Sequence, residues 1–396
     1  MGQKRKILIL GGGFGGVKTA LELCRDKRFE VTLVSEHRDF RYYPTLYRAA
    51  TGGKLPASSI PLSEIFSNSD LKFVEAGAKS LDRSNKTVTT DTDKQFKYDD
   101  LVIALGSVTN YFDIKGLRQN AYGIKSVDEA QRLRDHLHKT LLDNGKPDVN
   151  YVVIGGGPTG VELAGALPGY LSSILKRHKL SKKSLHIDLV EASPRLLPSM
   201  PRGYSKRVAR RLRKLGVKLY LGQGVQAETA DSLMVSGHSI ASHTVVWTAG
   251  VAVNPFIAAN EFGQVEHGKV AVDDHLQAED HVYVIGDNAA TPFSGMAQTA
   301  LYDASFVATN LKRAASGKNL KSYKPHKPIY VIPVGPHWAA VKIWGFCLYG
   351  VLGWLLRSAA NLIGYHDLEP WRKAGKHWLA EAGEQEDCPI CAASLG

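Results

Sequence analysis

The chain has 396 residues and a hydrophobic content of 44%, which suits roughly two or three soluble domains with ordinary cores. Its four cysteines exclude a disulfide-stapled secreted scaffold, and the start MGQKRKILIL lacks the pattern of a signal peptide, so we expect exposure to the cytosol. The net charge of +12 favours an anionic partner, either nucleic acid or an acidic membrane surface, and charge alone does not choose between them.

The first predicted unit is a strand, a glycine-rich turn, a helix and a second strand. KILIL leads into Gly11, Gly13 and Gly16 in the spacing G-x-G-x-x-G, VKTALELCRD follows as the helix, and VTLVSE ends at Glu36. The first glycine permits a tight turn, the second lets backbone N–H groups approach a pyrophosphate, and the third allows close helix–strand packing. Because Glu36 can accept hydrogen bonds from ribose hydroxyls, the unit predicts a dinucleotide site.

A second unit repeats this design. The strand NYVVIG is followed by a helix that starts at about Pro158 and by the strand HIDLVE, which ends at Glu191; the glycines between them are Gly155, Gly157 and Gly160. The acid at Glu191 favours a free ribose 2′-hydroxyl and therefore NADH. Arg195 lies close by, so NADPH is disfavoured and not excluded. Two fingerprints predict two nucleotide sites, and the alternation of strands and helices predicts parallel sheets.

Three further apolar runs have the length of buried strands and end at loops. They are DDLVIALG at residues 99–106, SHTVVWTAG at 242–250 and DHVYVIGD at 280–287. They fit the same parallel-sheet architecture.

The C-terminal part begins with an apolar stretch at residues 343–363, IWGFCLYGVLGWLLRSAANLI. It has nominally the length of a membrane span, but Arg357, Ser358 and Asn361 lie in its second half. The following segment is polar and rich in Trp and basic residues, which suits the headgroup layer. We therefore predict helices that lie in the membrane interface, with a buried helix, a dimer face or a spanning helix as alternatives.

Cys388 and Cys391 form a CxxC motif near the end of the chain. A redox pair is one interpretation, and half of a metal site is another, although His366 and His377 upstream have no recognisable zinc spacing. The interpretation that we prefer is a flexible tail with two solvent-facing thiols, and we predict no metal site.

Taken together, the motifs carry a resemblance to a known family. GGGFGG, FRYYPTLYRAATG, DDLVIALGS, GGGPTGVELAG, WTAGV, YVIGDNA and AQTALYDA occur in that order. The chain resembles the two-dinucleotide-binding-domain flavoproteins, and among them type II NADH dehydrogenases, the single-chain NADH:quinone oxidoreductases. The resemblance implies an α/β fold with two Rossmann-like domains and a C-terminal helical membrane-docking region. It also implies hydride transfer from NADH to FAD, followed by two-electron reduction of a membrane quinone without proton pumping.

The expected domains follow from this resemblance. Residues 1–112 and 262–325 would form the FAD-binding domain, residues 113–261 the inserted NADH-binding domain, and residues 326–396 the membrane-associating region with the CxxC tail. We expect a peripheral protein on the cytoplasmic face of the membrane, with a quinone and an anionic membrane surface as partners, no nucleic acid, and a homodimer left open.

The resemblance also implies which residues hold the two cofactors. Asp287 would bind the ribityl and phosphate region of the flavin. The full FAD set is Gly11, Gly13, Phe14, Gly15, Gly16, Glu36, Ala104, Gly106, Gly286, Asp287, Ala297 and Gln298. The NADH set is Gly155, Gly157, Pro158, Thr159, Gly160, Glu162, Glu191, Ala249 and Gly250.

Three residues are expected to be catalytic. Glu162 is a charged residue in the apolar helix start VELAG, where the positive end of the helix dipole alone could stabilise it. The resemblance instead implies a place for it beside the nicotinamide and the flavin edge. On the quinone side the family has two glutamines four residues apart; here Gln298 occupies the first position and Tyr302 the second, where it can hydrogen-bond and stack.

Tyr43 and Pro44 match the family segment that approaches the flavin and the quinone channel, and together with Gln298 and Tyr302 they complete the expected quinone site. The alternative is that these aromatic residues belong to the core. Rival functions are a soluble flavoprotein reductase for a small electron-transfer protein, a sulfide:quinone reductase and an NADH-sensing protein. The cysteine positions speak against the second rival, because no reactive pair flanks the expected flavin site.

Overall fold

The computed structural model describes residues 4–142, 150–180 and 185–383. The first part of the chain supplies most of one sheet, which is parallel except for its edge strand β19, and several short antiparallel strands. Its strands and helices are β1 (Arg5–Leu10), α1 (Phe14–Leu23), β2 (Phe29–Ser35), β3 (Asp39–Arg41), α2 (Leu46–Ala50), β4 (Ser59–Pro61), α3 (Leu62–Ile65), β5 (Lys72–Glu75), β6 (Ala78–Asp82), β7 (Thr87–Thr90), β8 (Gln95–Lys97), β9 (Asp100–Ile103), β10 (Ser107–Thr109) and α4 (Leu117–Asn120).

The middle of the chain builds a second parallel sheet. Its elements are α5 (Val127–Leu142), β11 (Asn150–Ile154), α6 (Pro158–Arg177), β12 (His186–Glu191), α7 (Arg202–Lys214), β13 (Val217–Leu221), β14 (Val225–Glu228), β15 (Ser232–Val235), β16 (His238–Ala241), β17 (Thr244–Trp247) and β18 (Val251–Val253).

The last part returns to the first sheet and then adds a separate small layer. Its elements are α8 (Pro255–Ala259), β19 (Gln277–Glu279), β20 (Val282–Val284), α9 (Ala297–Ala314), β21 (Tyr330–Pro333), β22 (Ala339–Ile343), β23 (Phe346–Gly350), α10 (Val351–His366) and α11 (Trp371–Ala382).

The first sheet has the strand order β19-β20-β9-β1-β2-β5. Strand β1 pairs in parallel with β2 and β9, and β20 pairs in parallel with β9. The run from Ile7 to Leu10 is buried on both faces, because α1 and α9 pack together on one side of the sheet and a second apolar cluster fills the other. Strands from residues 5–103 and from residues 277–284 therefore share one sheet.

The second sheet has the order β13-β12-β11-β17, with all pairs parallel. Helix α6 lies against it and carries the second glycine turn at its start. Between the two sheets, β10 pairs antiparallel with β18, so the outgoing and returning chain segments run side by side. The predicted α/β class with two βαβ-based units is confirmed.

The expectation that residues 343–363 are helical is wrong for the first half of the stretch. Strands β21, β22 and β23 form an antiparallel sheet, and α10 begins only after Gly350. Trp344 takes a left-handed backbone with φ of 51° beside Gly345, which turns the chain, and Phe346 then pairs back with Ile343. Apolar composition alone could not distinguish this hairpin from a helix.

Helix α10 is two-faced. Its inner face buries Arg357, Asn361 and Tyr365, while Leu355 and Ile363 are more than half exposed, at 53% and 56%. Within the described residues, no helix combines the length and the apolar character needed to cross a bilayer. Cys388 and Cys391 lie outside the described residues.

Candidate active site

The first glycine turn joins β1 to α1. Gly11 has φ of 106°, and a Cβ there would lie 2.3 Å from the carbonyl oxygen of Ala104. A Cβ on Gly16 would lie 1.8 Å from the oxygen of Gly11. A Cβ on Gly13 would have no atom of the described residues within 4 Å. Because only glycine allows these approaches, the turn leaves backbone N–H groups free to meet a pyrophosphate.

The second turn repeats this geometry. Gly155 has φ of 114°, a Cβ on Gly160 would lie 1.9 Å from the oxygen of Gly155, and the space at Gly157 is again open in the described part of the chain. Pro158 begins α6, where its missing N–H costs nothing. Thr159 and Ala249 are exposed beside the turn, and a Cβ on the buried Gly250 would lie 2.3 Å from the carbonyl oxygen of Asn110.

The two acids that end the second strand of each unit differ. Glu36 is exposed just after β2. Glu191 instead accepts hydrogen bonds from its own loop region, with Gly156 N–H at 2.5 Å and Ser193 N–H at 2.6 Å. Its oxygens keep further lone pairs for a ribose, so Glu191 can shape the turn and contact a nucleotide.

The loop after β20 carries the polar groups of the first site. Gly286 has φ of 66° and donates its N–H to Asp303 Oδ2 at 3.1 Å. Asp287 accepts from Ser107 Oγ at 2.8 Å, and Asn288 Nδ2 donates to the oxygen of Gly106 at 2.9 Å. The other amide atom, Asn288 Oδ1, is buried without a hydrogen-bond partner among the described residues. An unsatisfied buried oxygen beside an open glycine turn fits a polar ligand such as FAD.

Other predicted FAD residues frame the same place. Ala104 is 8% exposed, and Gly106 has φ of 67°. Phe14 is buried edge-on against Phe40, with ring centroids 4.9 Å apart, and Gly15 would meet Ile285 Cδ1 at 3.0 Å if it carried a Cβ. These contacts pack α1 against the loop that carries Asp287.

Glu162 lies in the second turn of α6 and is half-buried. Burial raises the pKa of its carboxyl to about 8, against a smaller opposite effect of the Arg357 guanidinium. No hydrogen bond to this carboxyl occurs within the described residues. A half-buried carboxyl that keeps its proton near neutral pH is a candidate proton donor, whereas the helix dipole alone would lower its pKa.

Arg357 is buried and ion-paired with Glu381 of α11. Asn361 Nδ2 donates to both oxygens of Glu381, at 2.8 and 2.7 Å. The guanidinium carbon of Arg357 also lies 5.9 Å from the ring centroid of Tyr47. Arg357 and Asn361 therefore point inward, and the charge of Arg357 acts on Glu162 of α6.

The predicted quinone residues fall into two places. Tyr43 is 40% exposed, with the Arg41 guanidinium 5.8 Å from its ring, and the carbonyl oxygen of Pro44 faces Arg357 Nη2 at 3.4 Å. This segment thus lies between the loop of Asp287 and the buried face of α10.

Gln298 and Tyr302 follow Ala297, the first residue of α9, and contact the segment that leads to β21. The Gln298 amide exchanges two hydrogen bonds with the backbone of Ile329, at 3.1 and 2.9 Å. Tyr302 stacks on His326 with centroids 5.3 Å apart. In this arrangement the Gln298 amide is already occupied.

Several site residues escaped the sequence analysis. Ser107 donates to Asp287, and Lys125 donates to Ser107. Asn288 and Asp303 hold the neighbouring backbone at Gly106 and Gly286. The capping-box pattern S-x-x-E at residues 126–129 could have located the start of α5 beside Lys125. No local pattern indicates that Lys125 would reach a loop so distant in sequence.

One cluster has the residue types of a metal site. Ligand atoms of Glu64, Glu369 and His377 lie within 4.8 Å of one another. However, Lys373 Nζ is 3.6 Å from Glu64 and 3.8 Å from Glu369, and His377 Nε2 is 3.0 Å from Glu369. The Lys373 ammonium and the His377 imidazole, whose pKa is raised, face the two carboxylates, so the cluster forms an ionic junction between α3 and α11.

Two glycine-rich turns on separate, mainly parallel sheets, joined by an antiparallel pair of strands, define the class of two-domain dinucleotide-binding proteins. The sequence pattern of the pyridine nucleotide-disulphide oxidoreductase family matches residues 5–304, and the chain belongs to this family. The superfamily resemblance seen in the sequence motifs is thereby confirmed.

Similar proteins extend beyond the family region. The type II NADH:quinone oxidoreductase of Staphylococcus saprophyticus is 26% identical over 371 residues, which cover 88% of this chain and 92% of that protein. Plasmodium falciparum NDH2 in complex with NADH matches with a TM-score of 0.86 at 18% identity, covering 96% of this chain and 97% of its own. Aquifex aeolicus sulfide:quinone oxidoreductase matches with a TM-score of 0.76 at 21% identity, covering 90% and 89%.

Proposed function

We propose that the chain is an FAD-dependent NADH:quinone oxidoreductase, which passes two electrons from NADH through the flavin to a membrane quinone without pumping protons. The Staphylococcus relatives with this name match 88% and 86% of the chain. The observation that carries the proposal is the placement of α10: its outer face is apolar, and its inner face brings the positive charge of Arg357 near Glu162. A nucleotide site is thereby connected to a surface suited to a lipid-soluble substrate.

The first glycine turn with Asp287 would hold FAD, and the second with Glu191 would hold NADH. FAD, when bound, supplies the two-electron redox chemistry. The protein residues would bind and orient the cofactors: the backbone N–H groups at Gly13 and Gly157 would hold the pyrophosphates, and Asp287 would hold the ribityl region. Glu162 would keep a proton on its carboxyl at neutral pH and give it to the reduced quinone.

For the quinone, we propose the space bounded by Tyr43, Pro44 and Arg357, with Gln298 and Tyr302 on its far side. To bind a quinone carbonyl, the Gln298 amide would have to break its hydrogen bond to the Ile329 carbonyl oxygen. Tyr302 would keep its stacked place on His326 and present its hydroxyl. Tyr43 and Pro44 thus border the proposed quinone space directly. Gln298 and Tyr302 already make contacts within the protein.

We further propose that residues 326–383 bind the cytoplasmic face of the membrane peripherally. Exposed apolar side chains concentrate here: Trp344, Phe346, Val351, Leu352, Leu355, Ile363, Trp371 and Leu379. Trp at the headgroup layer and a net charge of +12 suit an anionic lipid surface. A second copy of the chain is the alternative occupant of the same surface.

The rival functions are separated by chemistry. Sulfide:quinone reduction requires a cysteine pair beside the flavin, and the two cysteines in the described part of the chain lie apart, Cys24 at the end of α1 and Cys347 on β23. A soluble reductase for a small redox protein has no use for the exposed apolar side chains of α10. An NADH sensor would show no turnover.

The test uses the full-length protein. After FAD is identified by absorbance, NADH oxidation is followed with a short-chain ubiquinone or menaquinone, with sulfide as the rival donor and an acidic redox protein as the rival acceptor. Quinone-dependent NADH oxidation supports the proposal. Its absence together with rapid reduction of the redox protein would refute it.

Membrane binding is tested by flotation with vesicles of anionic or zwitterionic lipid. Truncation is uninformative because α10 and α11 are packed against the body of the protein, so the double change Leu352→Glu and Leu355→Glu is preferred. We expect these changes to abolish flotation and leave soluble-quinone turnover intact. An unchanged flotation profile would refute the docking surface, and dimer dissociation would assign the surface to a second copy.

A further inference from the structure

A chain of hydrogen bonds connects the second nucleotide unit to the first. Lys125 Nζ lies 2.9 Å from both Ser107 Oγ and the Ser107 carbonyl oxygen. Ser107 Oγ lies 2.8 Å from Asp287 Oδ2. A hydroxyl has one hydrogen and an ammonium has no acceptor, so the direction is fixed: Lys125 donates to Ser107, and Ser107 donates to Asp287.

Glu129 of α5 fixes the backbone at Lys125. The Lys125 N–H donates to Glu129 Oε2 at 2.6 Å. Glu129 and Ser126 form a capping box at the start of α5: the Glu129 N–H donates to Ser126 Oγ at 3.0 Å, and the Ser126 N–H donates to Glu129 Oε2 at 3.2 Å. Helix α5 packs on α2 and α6. Lys125 is therefore anchored to the helix that begins the inserted unit, while Asp287 belongs to the loop of the first sheet.

On balance the surroundings of Lys125 lower its pKa, and two neighbouring carboxylates oppose this effect. Burial lowers the pKa of Lys125, and the positive charge of Arg41 acts in the same direction, while Asp287 and Glu129 act in the opposite direction. Pairing with acceptors offsets the cost of removing the lysine ammonium from water. In the half-buried site its electrostatic interactions are also stronger than in water. If the ammonium is removed, Asp287 keeps a single donor that is itself free to rotate.

We propose that Lys125 is a positioning residue of the flavin site: through Ser107 it fixes the Asp287 carboxylate and places one positive charge beside it. The inference rests on the proposed binding of FAD at Asp287. Two consequences follow. The orientation of Asp287 contributes to FAD affinity, and the added positive charge favours the more negative reduced flavin over the oxidised flavin.

Flavin affinity tests the first consequence. The FAD dissociation constant is measured by flavin fluorescence for the full-length wild type, Lys125→Met, Ser107→Ala and the double variant, with Lys139→Met, an exposed lysine of α5, as the matched control. We expect about a tenfold weaker affinity in each single variant and in the double variant, because the two residues act in series. Lys139→Met should equal the wild type.

The midpoint potential of the bound flavin tests the second consequence and separates charge from packing. Lys125→Met should bind reduced flavin about tenfold more weakly relative to oxidised flavin, which equals about 30 mV toward more negative potential for a two-electron couple. Lys125→Arg keeps the charge and should retain the wild-type potential. A merely structural role would leave the potential of both variants unchanged.

Affinities of Lys125→Met and Ser107→Ala within twofold of the wild type, or losses that add in the double variant, overturn the inference. Ser107→Ala alone decides the affinity question if Lys125→Met does not fold. A wild-type chain that binds no FAD would refute the proposed function and this inference with it. FAD that binds equally to wild type and variants refutes only the inference, and neither readout depends on quinone turnover.

Discussion

Arg357 of α10 and Glu381 of α11 form an ion pair that is buried on the inner side of the C-terminal layer. Each keeps less than a tenth of its side-chain surface exposed, and Asn361 closes the pair by donating to Glu381. An arginine in an apolar stretch looked from the sequence like a break in its hydrophobic character. In the fold Arg357 points inward, so it does not interrupt the apolar outer face of α10.

The first prediction concerns this pair. Arg357→Met leaves the Glu381 charge buried and unpaired, so we expect a loss of about 3–5 kcal/mol in the free energy of unfolding, measured by urea titration. The double change with Glu381→Leu should recover most of the loss, limited by the Asn361 amide that then lacks its acceptor. Equal losses in the single and double variants would contradict a buried ion pair.

The second prediction concerns the proton on Glu162. Its pKa is raised from 4.5 to about 8, so the folded protein holds this proton between those values and releases it above about pH 8. We expect kcat with quinone to fall above pH 8. Glu162→Gln should lower kcat by about 10²-fold at pH 7 and remove the alkaline decline, because the amide neither donates this proton nor titrates. An alkaline decline that persists in the variant would assign it to another group.

The third prediction separates the two nucleotide turns. Gly16→Ala should abolish FAD retention, because the added methyl would lie 1.8 Å from the oxygen of Gly11. Gly160→Ala, whose methyl would lie 1.9 Å from the oxygen of Gly155, should abolish NADH binding while FAD stays bound. Each variant is the control for the other, with flavin absorbance and calorimetric NADH titration as readouts. Loss of FAD in Gly160→Ala would reverse the assignment.

The fourth prediction concerns Glu191. Glu191→Ala should weaken NADH binding by roughly 1–3 kcal/mol through the lost ribose contacts and the released N–H groups of Gly156 and Ser193. FAD affinity should stay unchanged. Calorimetric titration with NADH measures the effect, and Glu36→Ala, which should instead weaken FAD, is the matched variant.

The fifth prediction follows from the ionic junction at α11. Burial is the largest single effect on His377 and lowers its pKa, but the contacts with Glu369 and the Pro56 carbonyl oxygen and the charge of Glu64 together raise the pKa above 6.5. The protonated form is therefore favoured by folding, so its contribution to stability is complete below pH 6.5 and is lost as pH rises through the raised value. We expect the Tm of wild type to decrease over this range relative to His377→Gln. Parallel Tm profiles would contradict the pairing with Glu369.

The sequence by itself determined the two glycine turns, the strands around them and the order of the units. These features depend on local rules: glycine spacing at a strand–helix turn, apolar runs of strand length, and an acid at the end of the second strand. KILIL, NYVVIG and HIDLVE accordingly became β1, β11 and β12, and α6 starts at Pro158. The same local rules failed at residues 343–350, where an apolar run fits a hairpin as well as a helix.

Only the tertiary structure decided which of these residues meet. Lys125 and Asp287 are far apart in sequence and come together because β10 and β18 bring both crossover segments beside the first sheet. Arg357 approaches Glu162 because α10 packs its polar side inward, and Gln298 is occupied because the chain before β21 passes along α9. Such contacts depend on packing between distant elements, which no local periodicity encodes, whereas a glycine turn needs only its neighbours in sequence.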